Sequence, residues 1–180
     1  MMIGRLRIII MAGGIGSRFG GPYKLVAEVC GERLIERVVR IASSIGEPIV
    51  VVSPYTKKYL EGICAKHRCI ETRGAGYPED LYEALSKVGR PVLVLPGDIP
   101  FISADILVDF VRRALEATEP IATMRVCRND VCEALGVSFA KAAGWGWVDI
   151  DYSYSPELMD IDTQEDLLRA EEICGSMAEG

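Results

Sequence analysis

A glycine-rich loop directly after an apolar run is the feature that most constrains the fold of this chain. The run Ile8 to Met11 predicts a buried strand, and the thirteen residues from Ala12 to Lys24 include five glycines. Strand-to-helix loops in α/β proteins usually have about two to six residues, so a loop of this length and composition indicates a binding site rather than a simple turn. Glycines such as Gly13 and Gly14 let backbone N–H groups approach phosphate oxygens or a purine edge directly.

Apolar runs that predict strands alternate with segments of helical periodicity through the first two thirds of the chain. In the first predicted helix, Leu34, Val38, Ile41 and Ile45 recur at helical spacing and form one apolar face. The alternation predicts an α/β fold, a three-layer Rossmann-like domain with a mostly parallel central sheet. The predicted strands are 7–11, 48–53, 68–72 and 91–95, and the predicted helices are 34–45, 56–66, 79–88 and 103–117.

The last third of the chain changes character. Segments 121–126, 134–139 and 144–154 predict shorter strands, which we expect to add to the sheet in antiparallel fashion. A closing helix is predicted from Thr163 to about Cys174, because Asp166 follows Thr163 at the spacing of a capping box. The sequence contains neither a linker nor a repeat, and its hydrophobic content of 49% suits one core, so we expect a single domain over residues 1–180.

Charge and hydropathy exclude several classes of partner. The net charge is −6, and no basic block is interleaved with aromatic residues, so a nucleic-acid groove is not expected. The first apolar run is far too short for a signal sequence or a membrane span, and we expect a cytoplasmic protein without a membrane span. Its partners should therefore be small molecules, and a homodimer is compatible with the sequence.

Six cysteines raise the question of metal binding or disulfides. No CxxC pair is present and His67 is the only histidine, so the spacing argues against structural zinc. Most of the cysteines are expected to be buried thiols. A disulfide between Cys127 and Cys132 across a hairpin is the favoured exception, since intracellular disulfides do occur in hyperthermophiles.

Two familiar phosphate-binding motifs fit the glycine-rich loop poorly. The dinucleotide-binding fingerprint needs a glycine where Phe19 stands, and no acidic residue closes a second strand about twenty residues beyond the loop. A short-chain oxidoreductase is therefore disfavoured. The P-loop is excluded because no Gly-Lys-Ser/Thr follows the glycines.

The loop instead resembles the signature of the nucleotidyltransferase superfamily. A strand leads into Ala12-Gly13-Gly14, followed by Gly16-Ser17-Arg18 and, a few residues on, Lys24. The segment from Gly74 to Leu81 is most similar to the archaeal GTP:adenosylcobinamide-phosphate guanylyltransferases. Gly97-Asp98-Ile99-Pro100 is more similar to the molybdenum-cofactor nucleotidyltransferases, and Phe19 and Leu25 replace the usual Met and Pro, so the acceptor stays open.

The resemblance assigns roles to particular residues. Arg18 and Lys24 would stabilise phosphate charge during catalysis, and Asp98 would be catalytic as a Mg²⁺ ligand. Asp98 also follows a buried strand, where an oxygen ligand for magnesium is expected. Asp162 is the second metal candidate, although Asp160 and Asp162 could instead form a polar helix entry. The carboxylate of Glu79 or Asp80 could accept hydrogen bonds from N1 and N2 of guanine. The predicted nucleotide-binding residues are Ala12, Gly13, Gly14, Gly16, Ser17, Arg18, Lys24, Gly74, Gly76, Tyr77, Asp80 and Gly97.

The reaction implied by the resemblance is transfer of GMP from GTP to the phosphate of adenosylcobinamide phosphate, with release of pyrophosphate. Two alternatives stay open: a molybdenum-cofactor guanylyl- or cytidylyltransferase, and a regulatory protein that binds nucleotide without turnover. Four aromatic residues of the last third could line the acceptor cleft or pack in the core or a dimer interface. These are Trp145, Trp147, Tyr152 and Tyr154.

Overall fold

The computed structural model describes residues 6–178, which form an α/β domain around one seven-stranded sheet. The strands are β1 (Arg7–Met11), β2 (Glu28–Val29), β3 (Glu32–Arg33), β4 (Glu47–Val52), β5 (Arg68–Glu71), β6 (Val92–Pro96), β7 (Ile121–Arg128), β8 (Val131–Ala140) and β9 (Trp147–Ser153). The helices are α1 (Leu34–Ile45), α2 (Glu61–Cys64), α3 (Tyr77–Val88), α4 (Ala104–Glu116) and α5 (Gln164–Ala178).

The sheet order is β5-β4-β1-β6-β8-β7-β9, and β2 pairs only with β3 in a separate small hairpin. Strands β5, β4, β1 and β6 are parallel, β8 runs antiparallel to both β6 and β7, and β9 is parallel to β7. The predicted mostly parallel sheet with antiparallel additions in the last third is therefore confirmed. The carboxyl ends of β1, β4 and β6 meet at one edge of the sheet, which is where α/β proteins place their ligands.

The central strands β1 and β6 are apolar on both faces, as strands covered by helices on both sides must be. Ile8 and Ile10 belong to the larger core cluster, with α1 and α4, whereas Ile9 and Met11 belong to a smaller cluster with α3. The closing helix follows Thr163, and its predicted capping box is present: Asp166 N–H donates to Thr163 Oγ1 at 3.2 Å and Thr163 N–H donates to Asp166 Oδ2 at 2.8 Å.

The prediction of one continuous helix over 56–66 is wrong, because only residues 61–64 form an α-helix. The structure has a 3₁₀ turn over Lys57–Tyr59 and only the four-residue helix α2. Local hydrogen bonding explains the difference, because the Thr56 hydroxyl accepts from the Ser53 N–H at 3.1 Å and holds a turn. Gly62 further lowers the helical preference of the segment.

The expectation of mostly free thiols is also wrong, because all six cysteines are paired. The predicted Cys127–Cys132 bridge is confirmed, with its Cα atoms 4.0 Å apart. Cys64 and Cys69 form a second bridge, and Cys30 and Cys174 form a third across a sequence separation of 144 residues. The last pair could not be read from spacing, since packing of α5 near the β2–β3 hairpin brings the two residues together.

None of the helices described in residues 6–178 is long and apolar enough to cross a membrane.

Candidate functional site

The loop after β1 is folded tightly around one glycine. Gly16 has a φ of +62°, and its carbonyl oxygen accepts from the N–H groups of Phe19, Gly20 and Gly21, each at 3.0 Å. A Cβ at Gly16 would collide with the Gly21 carbonyl, so only glycine fits this position. At the start of the loop the Ser53 hydroxyl donates to the Gly13 carbonyl at 2.7 Å and ties the loop to the end of β4.

A cleft of about 470 Å³ lies between this loop, the segment Gly74 to Tyr77 and the end of β6. A cleft of this size is in the range of small-molecule sites. It brings together the following predicted residues: Gly13, Gly14, Gly16, Lys24, Gly74, Gly76, Tyr77, Asp80, Gly97 and Asp98.

Three of the predicted nucleotide-binding residues do not line the cleft. Ala12 is buried, and its N–H donates to the Val51 carbonyl at 2.9 Å, so it holds the start of the loop against β4. Ser17 and Arg18 lie on the exposed part of the loop. Arg18 nevertheless reaches the site from outside, because its Nη2 lies 2.9 Å from Asp162 Oδ2.

Tyr55 lines the cleft but was not among the predicted residues. It belongs to no recognisable motif, and its ring is half exposed. It does follow β4, however, and the rule that ligands bind beyond the carboxyl ends of parallel strands could have identified it.

Asp80 shapes the second loop of the cleft. Its side chain is buried, and Oδ1 accepts from the N–H of Gly74 at 3.0 Å and from that of Ala75 at 3.3 Å. A methyl group added at Gly13 would lie 3.7 Å from Asp80 Oδ2, so the same carboxylate also lies beside the first loop. Asp80 therefore holds the loop at Gly74 and lies close to the first loop, and a contact between Asp80 and guanine stays a prediction.

A cation lies between two carboxylates at the inner end of the cleft. Lys24 Nζ is 2.6 Å from Asp98 Oδ2 and 3.3 Å from Asp162 Oδ1. All three side chains are largely buried, with exposed fractions of 13% for Lys24, 18% for Asp98 and 27% for Asp162. In this structure the two carboxylates predicted to bind metal share one ammonium group, and Arg18 adds a second positive charge beside Asp162.

The carboxylates at this end of the cleft carry more negative charge than Lys24 alone can balance. Burial raises the pKa of Asp98, the nearby Lys24 opposes this shift, and the charge of Asp162 adds to it. Burial likewise raises the pKa of Asp160, which the charges of Asp162 and Asp98 raise further. The pKa of Tyr77, another cleft residue, is raised by burial of its hydroxyl end and then by the charge of Asp98. A hard divalent cation fits this donor set, since Mg²⁺ takes oxygen ligands.

The segment before α5 is held by a network of hydrogen bonds. Asp166 Oδ2 accepts from the Asp162 N–H at 3.1 Å, and the Ile161 N–H donates to the Asp98 carbonyl at 2.9 Å. Gln164 Nε2 donates to the Phe19 carbonyl of the glycine-rich loop at 3.1 Å. The closing segment is therefore joined to the backbone of Asp98 and to the glycine-rich loop, which positions Asp162 opposite Lys24.

Two of the four aromatic residues considered for an acceptor cleft lie far from this site. Trp147 pairs with Ile121 at the beginning of β7, at the sheet edge opposite the carboxyl ends, and Trp145 precedes it in a fully exposed loop position. Tyr152 donates to Asp109 Oδ2 at 2.7 Å and packs on α4. Of the four, only Tyr154 follows the carboxyl end of β9 and lines a cavity near Asp160.

Within residues 6–178, one group of side chains with sulfur atoms has a spacing that could suit a metal ion: Cys127, Cys132 and Asp151. Both sulfur atoms are bonded to each other, so neither is a thiolate available to a metal.

Comparison with known proteins gives consistent results. The family model described as "MobA-like NTP transferase domain" matches residues 8–144. Adenosylcobinamide-phosphate guanylyltransferase of Methanocaldococcus jannaschii is 29% identical over 91% of this chain and 94% of that protein. The bifunctional protein GlmU of Campylobacter concisus is 30% identical over 71% of this chain, which spans only 33% of GlmU.

Solved structures share the fold. Molybdopterin-guanine dinucleotide biosynthesis protein A of Archaeoglobus fulgidus superposes with a TM-score of 0.72 at 20% identity, covering 96% of this chain and 100% of that chain. The 4-diphosphocytidyl-2C-methyl-D-erythritol synthase of Anaerococcus prevotii also has a TM-score of 0.72, at 17% identity, covering 96% and 99%. At these identities the similarity establishes the architecture.

Proposed function

Because this chain belongs to the MobA-like NTP transferase family and is a nucleotidyltransferase, we propose that it transfers GMP from GTP to the phosphate of adenosylcobinamide phosphate. The observation that carries the catalytic part of the proposal is Lys24, held between Asp98 and Asp162 at the end of a cleft bounded by two glycine-rich loops. The acceptor rests on the similarity to the M. jannaschii enzyme, which extends over nearly the full length of both chains.

In the proposed reaction an oxygen of the acceptor phosphate attacks the α-phosphorus of GTP. A new P–O bond forms, the bond from the α-phosphorus to the bridging oxygen breaks, and pyrophosphate leaves with that oxygen. The second pKa of a phosphate monoester is about 6, so the attacking oxygen is already ionised at neutral pH and needs no general base. Catalysis then consists of positioning and charge stabilisation.

The residues of the cleft divide these tasks. The loop from Gly13 to Gly16 offers backbone N–H groups to the phosphates. In the second loop the Gly74 and Ala75 N–H groups already donate to Asp80, so carbonyl groups of this loop would accept from the base. Lys24 and Arg18 supply positive charge for the α-phosphate and the leaving pyrophosphate. Asp98 and Asp162 would hold Mg²⁺, and the bound ion would neutralise negative charge on the phosphate oxygens.

The base is expected to lie near Tyr55, Tyr77 and the loop from Gly74 to Gly76. Both tyrosine side chains are about half exposed in the cleft and offer apolar surface to a planar purine. Backbone groups of the Gly74 to Gly76 loop, which Asp80 holds in place, can read the hydrogen-bonding edge of guanine.

Transfer to a molybdenum-cofactor acceptor is the second candidate, because Gly97-Asp98-Ile99-Pro100 resembles those enzymes more closely. The deciding experiment incubates the protein with α-labelled GTP or CTP, Mg²⁺ and each acceptor, and measures label in the product together with pyrophosphate. We expect GTP and adenosylcobinamide phosphate to be the productive pair. Transfer only to the molybdenum cofactor would replace the proposed acceptor, and binding of GTP without any transfer would favour the regulatory alternative.

Thermal unfolding gives an independent test of the nucleotide. A ligand present at 100 times its Kd stabilises the folded state by about 2.7 kcal/mol. GTP with Mg²⁺ should therefore raise Tm more than equal concentrations of ATP or CTP. The cytoplasmic location, the archaeal source and the homodimer stay predictions.

A further inference from the structure

A second cavity, of about 840 Å³, lies between the β7–β8 hairpin and helix α5. Val126 is directly opposite Glu133 in the hairpin, and Arg128 is directly opposite Val131, so all four side chains share one face of the sheet. Asp166, Arg169 and Ile173 face them from α5 at spacings of three and four, which place residues on one side of a helix. The cavity is thus a slot with a sheet wall and a helix wall.

The inner end of this slot adjoins the carboxylate centre. Met159 and Asp160 line the slot, whereas Asp98 lines the nucleotide cleft. The Ile161 N–H donates to the Asp98 carbonyl at 2.9 Å, so the segment that carries Asp160 and Asp162 lies directly against the end of β6. The two cavities therefore adjoin the same group of carboxylates, as the sites for the two substrates of a transfer reaction must.

Eight of the thirteen residues that line the slot are apolar or aromatic, and the others are three carboxylates and two arginines. Leu135, Leu158 and Met159 are buried apolar residues that form part of its surface. The guanidinium carbon of Arg128 lies 3.4 Å from the centre of the Tyr154 ring, in a cation–π stack. Stacking fixes the plane of the guanidinium and leaves its N–H edges directed away from the ring.

The two arginines of the slot differ in their ion pairing. Arg169 lies 2.6 Å from Glu165 Oε1 on its own helix. Arg128 forms no ion pair with any carboxylate in residues 6–178, although Glu133 lines the same cavity. The hydrogen-bonding capacity of Arg128 is therefore available to a ligand, and guanidinium groups bind oxygen acceptors strongly.

The hairpin holds Arg128 in a defined position. The Cys127–Cys132 disulfide closes the strands beside it, and the Tyr154 N–H donates to the Cys127 carbonyl at 2.9 Å. Arg128 and its stacking partner are therefore joined through the backbone at the outer end of the slot. A binding group positioned before the ligand arrives loses less entropy on binding.

We propose that this slot binds the acceptor, a phosphate monoester attached to a large, mostly apolar body rimmed by oxygen atoms. The apolar walls contact the body, Arg128 donates hydrogen bonds to oxygens at its periphery, and the phosphate arm extends to the Asp160 end. This inference rests on the proposed function, because it assigns the acceptor of that same reaction. It makes Arg128 a specificity-determining residue outside the nucleotide cleft.

The test measures binding without turnover. The GTP analogue with a methylene group between the α- and β-phosphorus cannot release pyrophosphate, so it can be bound together with adenosylcobinamide phosphate. Calorimetry with Mg²⁺ then gives a Kd for each ligand in the wild type, Arg128→Met and Val131→Trp. The second variant places a bulky ring opposite Arg128 at a residue that is 63% exposed, so it narrows the slot without disturbing the core.

The matched control is Arg112→Met on the exposed side of α4, where the arginine pairs with Asp109 and Glu116. We expect Arg128→Met to raise the acceptor Kd about tenfold or more, the loss typical of a hydrogen bond to a charged group. Val131→Trp should also raise the acceptor Kd, because the added ring occupies space in the slot. The Kd of the GTP analogue should change by less than about twofold, and the control should bind both ligands like the wild type.

Three results would overturn the inference. In the first, the wild type transfers GMP to the corrinoid, and both slot variants bind the acceptor with the affinity of the wild type. This result would rule out the slot as the acceptor site but would leave the proposed function intact. The second is an equal loss of GTP analogue and acceptor, which indicates general disruption instead of a separate acceptor site. A wild-type protein that neither binds nor modifies the corrinoid would overturn the proposed acceptor and this inference together.

Discussion

Lys24 Nζ donates a hydrogen bond of 2.6 Å to Asp98 Oδ2, and the same ammonium lies 3.3 Å from Asp162 Oδ1. The cation that should stabilise phosphate thus lies at the position expected for a metal ion between two carboxylates. Binding of a Mg²⁺–nucleotide complex can replace this contact, because the ion neutralises the carboxylates and the phosphates provide a new partner for Lys24.

We expect Lys24→Ala to lower kcat by roughly 10² to 10³, the typical loss when one preorganised donor to a transition state is removed. Steady-state assays of pyrophosphate release measure the effect. Lys58→Ala is the matched control, because Lys58 is an exposed lysine that contacts Tyr59 away from the cleft. An unchanged kcat in Lys24→Ala would remove Lys24 from the catalytic residues.

We expect the wild-type protein to bind a divalent cation weakly in the absence of nucleotide, because the Lys24 ammonium lies between Asp98 and Asp162 and offsets part of their charge. Electron paramagnetic resonance with Mn²⁺ as the probe measures free metal directly. Addition of the GTP analogue should markedly strengthen Mn²⁺ binding. Tight binding of Mn²⁺ without nucleotide would contradict this account of the carboxylate centre.

The variant Asp98→Asn should lose the nucleotide-dependent Mn²⁺ binding and most of the activity, since an amide carries no negative charge for the metal. Mn²⁺ titration and the pyrophosphate assay check both effects. Asp105→Asn, at an exposed position in the first turn of α4, removes the same charge elsewhere and should behave like the wild type. Full metal binding in Asp98→Asn would assign the metal to other carboxylates.

Replacement of Asp80 should weaken nucleotide binding without directly lowering kcat. Asp80→Ala removes the acceptor for two backbone N–H groups of the Gly74 loop, so we expect KM for GTP to rise about tenfold or more. Asp80→Asn keeps an oxygen acceptor at the same place and should retain much of the affinity. Equal KM values for wild type and Asp80→Ala would mean that this loop does not contact the nucleotide.

The Cys30–Cys174 disulfide should contribute more to stability than the Cys64–Cys69 disulfide. It joins residues 144 apart, whereas the other pair is separated by only five residues, and a longer closed loop restrains the unfolded chain more. Replacing Cys30 and Cys174 by serine should lower the free energy of unfolding by about 2 to 5 kcal/mol. Thermal and denaturant unfolding of both double variants test the order, and a larger loss from the Cys64 and Cys69 pair would contradict it.

Features that depend on neighbouring residues were predicted well. The alternation of strands and helices, the burial of β1, and the capping box at Thr163 and Asp166 all follow from local patterns of polarity. The helix predicted at 56–66 failed because hydrogen bonds between Ser53 and Thr56 favour a turn that periodicity does not reveal. Tyr55 was missed because no motif marks it, although its place after β4 does.

The amino-acid sequence by itself determined the sheet architecture and the glycine-rich loop, because burial patterns and the absence of a Cβ act within a few residues. Only the tertiary structure decided that Lys24 lies between Asp98 and Asp162, that Asp80 lies close to the first glycine-rich loop, and that Cys30 pairs with Cys174. These contacts join distant parts of the chain, and their geometry depends on how α5 and the strand ends pack together. Charge and hydrogen bonding then act over a few ångströms in space, whatever the separation in sequence.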